Sequence, residues 1–162
     1  MNSSIFHNPS LGRMNIEQVA QEITRFIEKD PEGQYQILVG TDSSGGKNAV
    51  FVAAIVVYQQ GKGGRYFWNK RSKEKPCHFF QERIHREVAI SLEVSQKLLT
   101  ELKKLAPRKG QVYEFQVHID VGKNGPTRKI IKEVVGMVMG SGFKASIKPN
   151  SLAASNVADR YC

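Results

Sequence analysis

Three aspartates and one glutamate are spaced so that four separate elements could each deliver a carboxylate to one point: Asp42, Asp120, Asp159, and either Glu82 or Glu87. Asp42 follows the apolar run Ile37-Leu38-Val39 and precedes a Gly-containing turn, in the order Val39-Gly40-Thr41-Asp42-Ser43-Ser44. A carboxylate at the end of a buried strand is costly to desolvate unless a cation or a basic group meets it. Asp120 ends a second strand, 113–119, and Asp159 lies on a terminal helical stretch after Ser151 and Ser155. Three or four carboxylates suit Mg²⁺ or Mn²⁺, hard cations that take oxygen ligands and retain waters. Two such cations about 3.5–4 Å apart can activate a water and stabilise the leaving oxygen in phosphodiester hydrolysis. Each aspartate also has a plainer reading. Asp42 could serve as the Asx-turn residue of a hairpin, Asp120 as a turn former before Gly122, and Asp159 as an ion-pair partner of Arg160 or a nearby lysine.

The two glutamates sit five residues apart on one helix and point about 140° apart, so they cannot face a site equally well. Glu87 shares its face with Ser91, Val94 and Ser95, small residues that allow close packing, and is the favoured ligand. Glu82 shares its face with Arg86 and reads as a solvated helix start favoured by the macrodipole. His118 precedes Asp120 by two and so shares its face on a strand; it either lines the site or is a buried, hydrogen-bonded histidine. No His/Cys spacing matches a zinc site. The two cysteines, Cys77 and Cys162, read as structural or incidental.

The chain carries a net charge of +9, a balance that suits a nucleic-acid partner: RNA, DNA or a hybrid. Its basic residues cluster. Lys62, Arg65, Lys70, Arg71, Lys73 and Lys75 lie within about fourteen residues in and around the third strand, and Arg128, Lys129 and Lys132 on the helix after Asp120. Lys70, Arg71 and Lys73 are candidate phosphate contacts. So are Asn124, Thr127 and Arg128, which flank a helix N-terminus whose N–H groups could hold a phosphate, although a helix cap also accounts for Thr127. Tyr66, Phe67 and Trp68 could stack on bases, but strand aromatics more often serve packing. No apolar run is long enough to span a bilayer, and no secretory signal pattern opens the chain. With few cysteines, this predicts a cytoplasmic protein without a membrane partner.

The positioning elements can be read in order. Residues 1–13 are polar, with Pro9 and Gly12, and read as a flexible N-terminus. A helix starts at Asn15, with Gln18 completing a capping box, and ends in Asp30-Pro31-Glu32-Gly33. Strands are expected at 35–42, 49–59 and 64–74, joined by Gly-rich hairpins. The second is apolar throughout, which predicts cover on both faces. A long helix over 79–105, a strand over 113–119, a helix over 127–139, a strand over 143–148 and a final helix complete an α, βββ, α, β, α, β, α order. That order predicts an α/β fold with a mixed five-stranded sheet, three antiparallel strands then parallel ones, helices on both faces, and an extra N-terminal helix. Residues 14–162 read as a single domain.

This element order resembles the ribonuclease H-like fold, with Thr41-Asp42-Ser43-Ser44 similar to its first catalytic strand. More narrowly the chain resembles the bacterial YkuK family of ribonuclease H-like proteins. The residues that carry the resemblance are Asp30-Pro31-Glu32-Gly33-Gln34-Tyr35, Gly40-Thr41-Asp42-Ser43, His118-Ile119-Asp120-Val121-Gly122 and Lys148-Pro149-Asn150-Ser151. Ala153-Ala154-Ser155 and Ala158-Asp159-Arg160-Tyr161 continue it. The resemblance implies that the strands ending in Asp42 and Asp120 are adjacent and parallel, and that Asp159 completes a second metal site from the last helix. The expected activity is a metal-dependent nuclease using Asp42, Glu87, Asp120 and Asp159. The alternatives are a non-catalytic nucleic-acid-binding module and a nucleotide-binding protein. Actin-like ATPases share the topology but normally use two such domains, and 162 residues supply one.

Overall fold

The computed structural model describes residues 4–45, 48–71, 75–105, 113–121, 128–148 and 152–162. An interior strand, β3 (Tyr35–Ser43), pairs antiparallel along its whole length with β4 (Phe51–Gln59), and β4 pairs antiparallel with β5 (Gly63–Arg71). On its other side β3 pairs in parallel with β6 (Tyr113–His118), which pairs in parallel with β7 (Lys144–Ser146).

The sheet has seven strands rather than the expected five. Composition predicts a flexible stretch over residues 1–13; instead β1 (Phe6–Asn8) and β2 (Gly12–Met14) form a hairpin that docks on the edge of β5 through the pair His7↔Trp68. The full order is β2-β1-β5-β4-β3-β6-β7. Asn8 organises the hairpin: its Oδ1 accepts from the Ser10 and Leu11 N–H groups at 2.9 Å each, and its Nδ2 donates to the Tyr66 carbonyl at 3.0 Å. Gly12 supplies the left-handed backbone, φ 78°, that returns the chain. The expected first helix, α1 (Ile16–Glu28), therefore follows a hairpin rather than opening the domain. Its predicted capping box is present, with Gln18 N donating to Asn15 Oδ1 and Asn15 N to Gln18 Oε1.

Strand alternation divides the core between two faces. Ile37, Val39, Ala53, Ile55 and Val57 face α1 and the long helix α2 (Phe80–Lys104), meeting Val19, Ile23, Val94 and Leu98. Beside them α2 and α3 (Ile131–Gly140), which follows a 3₁₀ turn at Arg128–Ile130, close over Val117, Ile119 and Val121. Leu38, Val52, Ala54 and Val56 face the opposite way, under α4 (Leu152–Tyr161). β4 is thus covered on both sides, which is why its sequence shows no alternation. Among the described residues no helix is long and apolar enough to cross a membrane.

Candidate active site at the ends of strands β3 and β6

The parallel ladder between β3 and β6 ends at Gly40↔His118, and Asp42 and Asp120 stand two residues further on in each chain. Equal spacing past a shared register delivers both carboxylates to the same edge of the sheet. Asp42 shares the face of Leu38 and Gly40, which is the face α4 covers. A Cβ at Gly40 would lie 2.9 Å from the Ala154 Cβ and 3.4 Å from that of His118, so α4 lies closer to β3 than a larger residue would permit. That close seat puts Asp159, on the last turn of α4, beside Asp42. The Asp42 carboxyl is pushed up to about 6, chiefly by burial. The Asp120 and Asp159 charges and hydrogen bonding with the Asp159 carboxyl raise it further, against a lowering hydrogen bond from the Ser43 N–H at 2.9 Å.

Glu87 arrives from the opposite face. Thr41 Oγ1 lies 2.8 Å from Ser91 Oγ, and Ser43 Oγ donates to Glu87 Oε1 at 2.5 Å. A rising strand number meets a falling helix number, so α2 runs against β3 and brings Glu87 level with the strand's last residue. Glu87 is 5% exposed. Its carboxyl is pushed up to about 8, mainly by burial and also by the charges of Asp42 and Asp120; the Ser43 hydrogen bond and Arg83 oppose this. Glu82 lies further out, is exposed, and accepts from the His78 N–H at 3.1 Å.

Lys148, which no sequence spacing links to the carboxylates, completes the charge pattern. The β6–β7 register, Gln116↔Lys144 to His118↔Ser146, continues so that Lys148 stands opposite Asp120, and Lys148 Nζ lies 2.7 Å from Asp120 Oδ1. Its ammonium is held protonated first by the Asp120 hydrogen bond and then by the charges of Asp120, Asp42 and Glu87. Lys148 thus sits in the combined field of three carboxylates. The oxygen-only donor set and that field fit a hard divalent cation in chemistry and in charge. Among the described residues, however, no three His, Cys, Asp or Glu side chains stand close enough to close a metal site as arranged. Cys162, just past α4, shares the field: its thiol is pushed up to about 12 by desolvation and then by Asp42, Asp159 and Glu87.

The candidate phosphate contacts separate. Lys70 pairs with Val52, itself paired with Asp42, so all three form one row on the α4 face, and Lys70 is exposed. Arg71 alternates to the other face, where its Nη1 lies 3.1 Å from Glu93 Oε2 on α2. Arg128 is exposed at the 3₁₀ turn before α3. Lys73, Asn124 and Thr127 lie outside the described residues. Phe67 is wholly buried in the α1–α2 core. Trp68 stacks on Tyr161 at 4.2 Å and on His7 at 4.5 Å, and Tyr66 Oη lies 2.9 Å from Tyr161 Oη; these aromatics tie α4 and the N-terminal hairpin to β5. His118 is buried on the α4 face beside Gly40.

A mixed sheet of antiparallel strands continued by parallel ones, with acidic residues at the ends of two adjacent central strands, is the arrangement of a ribonuclease H-like protein. The ribonuclease H-like family profile matches residues 18–162, and the chain belongs to that family. Within it the likeness is to the YkuK type: the chain is 31% identical over 167 residues to the protein named "Uncharacterized protein YkuK" of Bacillus subtilis (strain 168), covering 98% of this chain and 97% of that one. No solved structure matches it significantly. Family membership points to a role connected with nucleic acid.

Proposed function

We propose that this protein is a metal-dependent nuclease that hydrolyses phosphodiester bonds at the edge formed by Asp42, Asp120, Asp159 and Glu87. The observation that carries the reading is proximity: Asp42 on β3, Asp120 just past β6, Glu87 on α2 and Asp159 on α4 lie near enough that the charges of Asp120 and Asp159 bear on Asp42, and those of Asp42 and Asp120 on Glu87. Burial first, and the neighbouring charges after it, hold Asp42 and Glu87 above the ordinary carboxylate range, so both favour an incoming cation, a recognised sign of a functional site. These four carboxylates would hold Mg²⁺ or Mn²⁺. Bound there, the ions supply Lewis acidity that favours ionisation of an attacking water and eases departure of the leaving oxygen.

The chain's own contributions follow from its contacts. The Ser43 N–H and hydroxyl orient Asp42 and Glu87 on opposite faces of the strand end, so neither carboxylate must be ordered when substrate arrives. Glu87 without a cation keeps its proton near neutral pH and releases it as positive charge enters. Lys70, in the row of Asp42, and Arg128, at the entry to α3, are the exposed bases suited to the phosphate backbone.

The ion pair of Lys148 with Asp120 favours a second reading, a nucleic-acid-binding module that does not cleave, in which the ammonium replaces the metal. A panel of labelled single-stranded RNA, duplex DNA, hybrid and branched junction, with Mg²⁺ or Mn²⁺, separates the two. Cleavage that needs the metal and disappears in both Asp42→Asn and Asp120→Asn supports the nuclease. Salt-sensitive binding without cleavage, unaffected by either substitution, leaves the binding module.

A further inference from the structure

Helix α2 continues past the edge of the sheet. Glu87 is level with Ser43, the last residue of β3, so the preceding turns of the helix overhang the strand end. At about 1.5 Å per residue the overhang from Glu87 back to Phe80 is about 10 Å. Residues 80, 83 and 87 lie on one stripe, because spacings of three, four and seven return to the same helix face. Further along, the same side of α2 is buried: Glu87, Ser91, Val94 and Leu98. On the overhang it carries a phenyl ring and a guanidinium. Phe80 is 37% exposed and its neighbour Phe79 66%. The Arg83 guanidinium lies 5.0 Å from the centre of the Phe80 ring, and its positive charge reaches Glu87. Arg83 makes no ion pair among the described residues.

Core packing accounts fully for neither feature: Phe80 keeps 37% of its surface in water and forgoes that share of the gain from burial, and Arg83 lies over its ring rather than in the core. An unpaired base with its phosphate meets both. It offers a flat π-face to the ring and a negative charge to the arginine. Bases inside a duplex are stacked on each other and have no free face to offer. We propose that Phe80 and Arg83 form a ledge on which an unpaired base stacks beside the carboxylates, so that the nucleic acid this protein takes is single-stranded at that point. The proposal rests on the nucleic-acid reading of the carboxylate site and names its substrate class.

The test is fluorescence anisotropy of the full chain with a labelled single strand and with a duplex of the same sequence, in EDTA, the oligonucleotides being checked for integrity afterwards. Single strand should bind at least about tenfold more tightly than duplex. Phe80→Leu, which keeps an apolar side chain but no π-face, should lose about tenfold in single-strand affinity, and Phe80→Trp should retain it. Arg83→Gln should weaken binding and reduce the slope of log affinity against log salt by about one. Phe80 is partly exposed, so the variants should melt with the parent. Equal affinity for single strand and duplex, or Phe80→Leu binding like the parent, overturns the proposal. So does a change of oligomeric state in Phe80→Leu with single-strand affinity intact, which would assign the ring to a protein contact. Phe80-dependent binding of single strands without metal-dependent cleavage would keep the ledge and defeat the nuclease. Metal-dependent cleavage of duplex that ignores Phe80 would do the reverse.

Discussion

Replacing Glu87 by glutamine should stabilise the metal-free protein. The Glu87 carboxyl ionises at about 8 in the folded chain, against an ordinary 4.5, chiefly because it is buried. Between those values the folded protein holds a proton that the unfolded chain has released. Stability from this group is therefore complete below pH 4.5 and is lost progressively as pH rises toward 8. At about 1.4 kcal/mol per pH unit, the loss by pH 7 is about 3 kcal/mol. Glutamine has nearly the same shape, retains an oxygen to accept from the Ser43 hydroxyl, and never ionises. Glu87→Gln should then exceed the parent by about 1–3 kcal/mol at pH 7, the lower end allowing for water reaching the ionised carboxylate. The advantage should nearly vanish at pH 4.5. Urea unfolding in EDTA across this pH range measures it. If Glu87 is a ligand as proposed, Mg²⁺ should then reverse the order, because the parent gains stability by mass action and the variant does not. A glutamine variant less stable than the parent at pH 7, or an advantage that does not vary with pH, would refute the picture of Glu87 as a buried acid set against other carboxylates.

Gly40→Ala should destabilise the fold by about 1–3 kcal/mol, since its Cβ would lie 2.9 Å from that of Ala154. A double-mutant cycle with Ala154→Gly should return a coupling of about 1 kcal/mol or more, and strict additivity would mean that α4 is not seated on β3 at this point. Lys148→Met removes the cation now in the carboxylate field. Calorimetry should show Mg²⁺ affinity rising about two- to fivefold, the scale of a partly exposed ion pair, and an unchanged affinity would show that the ammonium and the metal do not compete. Asn8→Ala takes away the partners of the Ser10 and Leu11 N–H groups and of the Tyr66 carbonyl. Hydrogen exchange over residues 6–14 should accelerate by roughly tenfold, with the central strands unaffected, and uniform exchange changes would contradict a hairpin held at the sheet edge.

Much of this architecture could be read from local patterns. Asn15 and Gln18 mark the start of α1 because a capping box involves residues three apart. The unbroken apolar run of β4 announces cover on both faces. Glu87 could be preferred to Glu82 because Ser91, Val94 and Ser95 share its stripe, and all three are buried in α2. Tertiary structure decided what depends on partners far away in the chain. The N-terminal hairpin has no hydrophobic period, and the contacts that hold it, His7↔Trp68 and Asn8 to Tyr66, join residues about sixty apart. Lys70 and Arg71 alternate in face on any strand, but only the position of α2 sets Glu93 against Arg71. Lys148 meets Asp120 through the register of β6 and β7, which no spacing in the sequence reports. The sequence alone determined which residues could carry charge and which elements hold them. Strand register and the close seat of α4 on Gly40 decided which of those charges face one another, because side chains interact through distances that only the packed sheet sets.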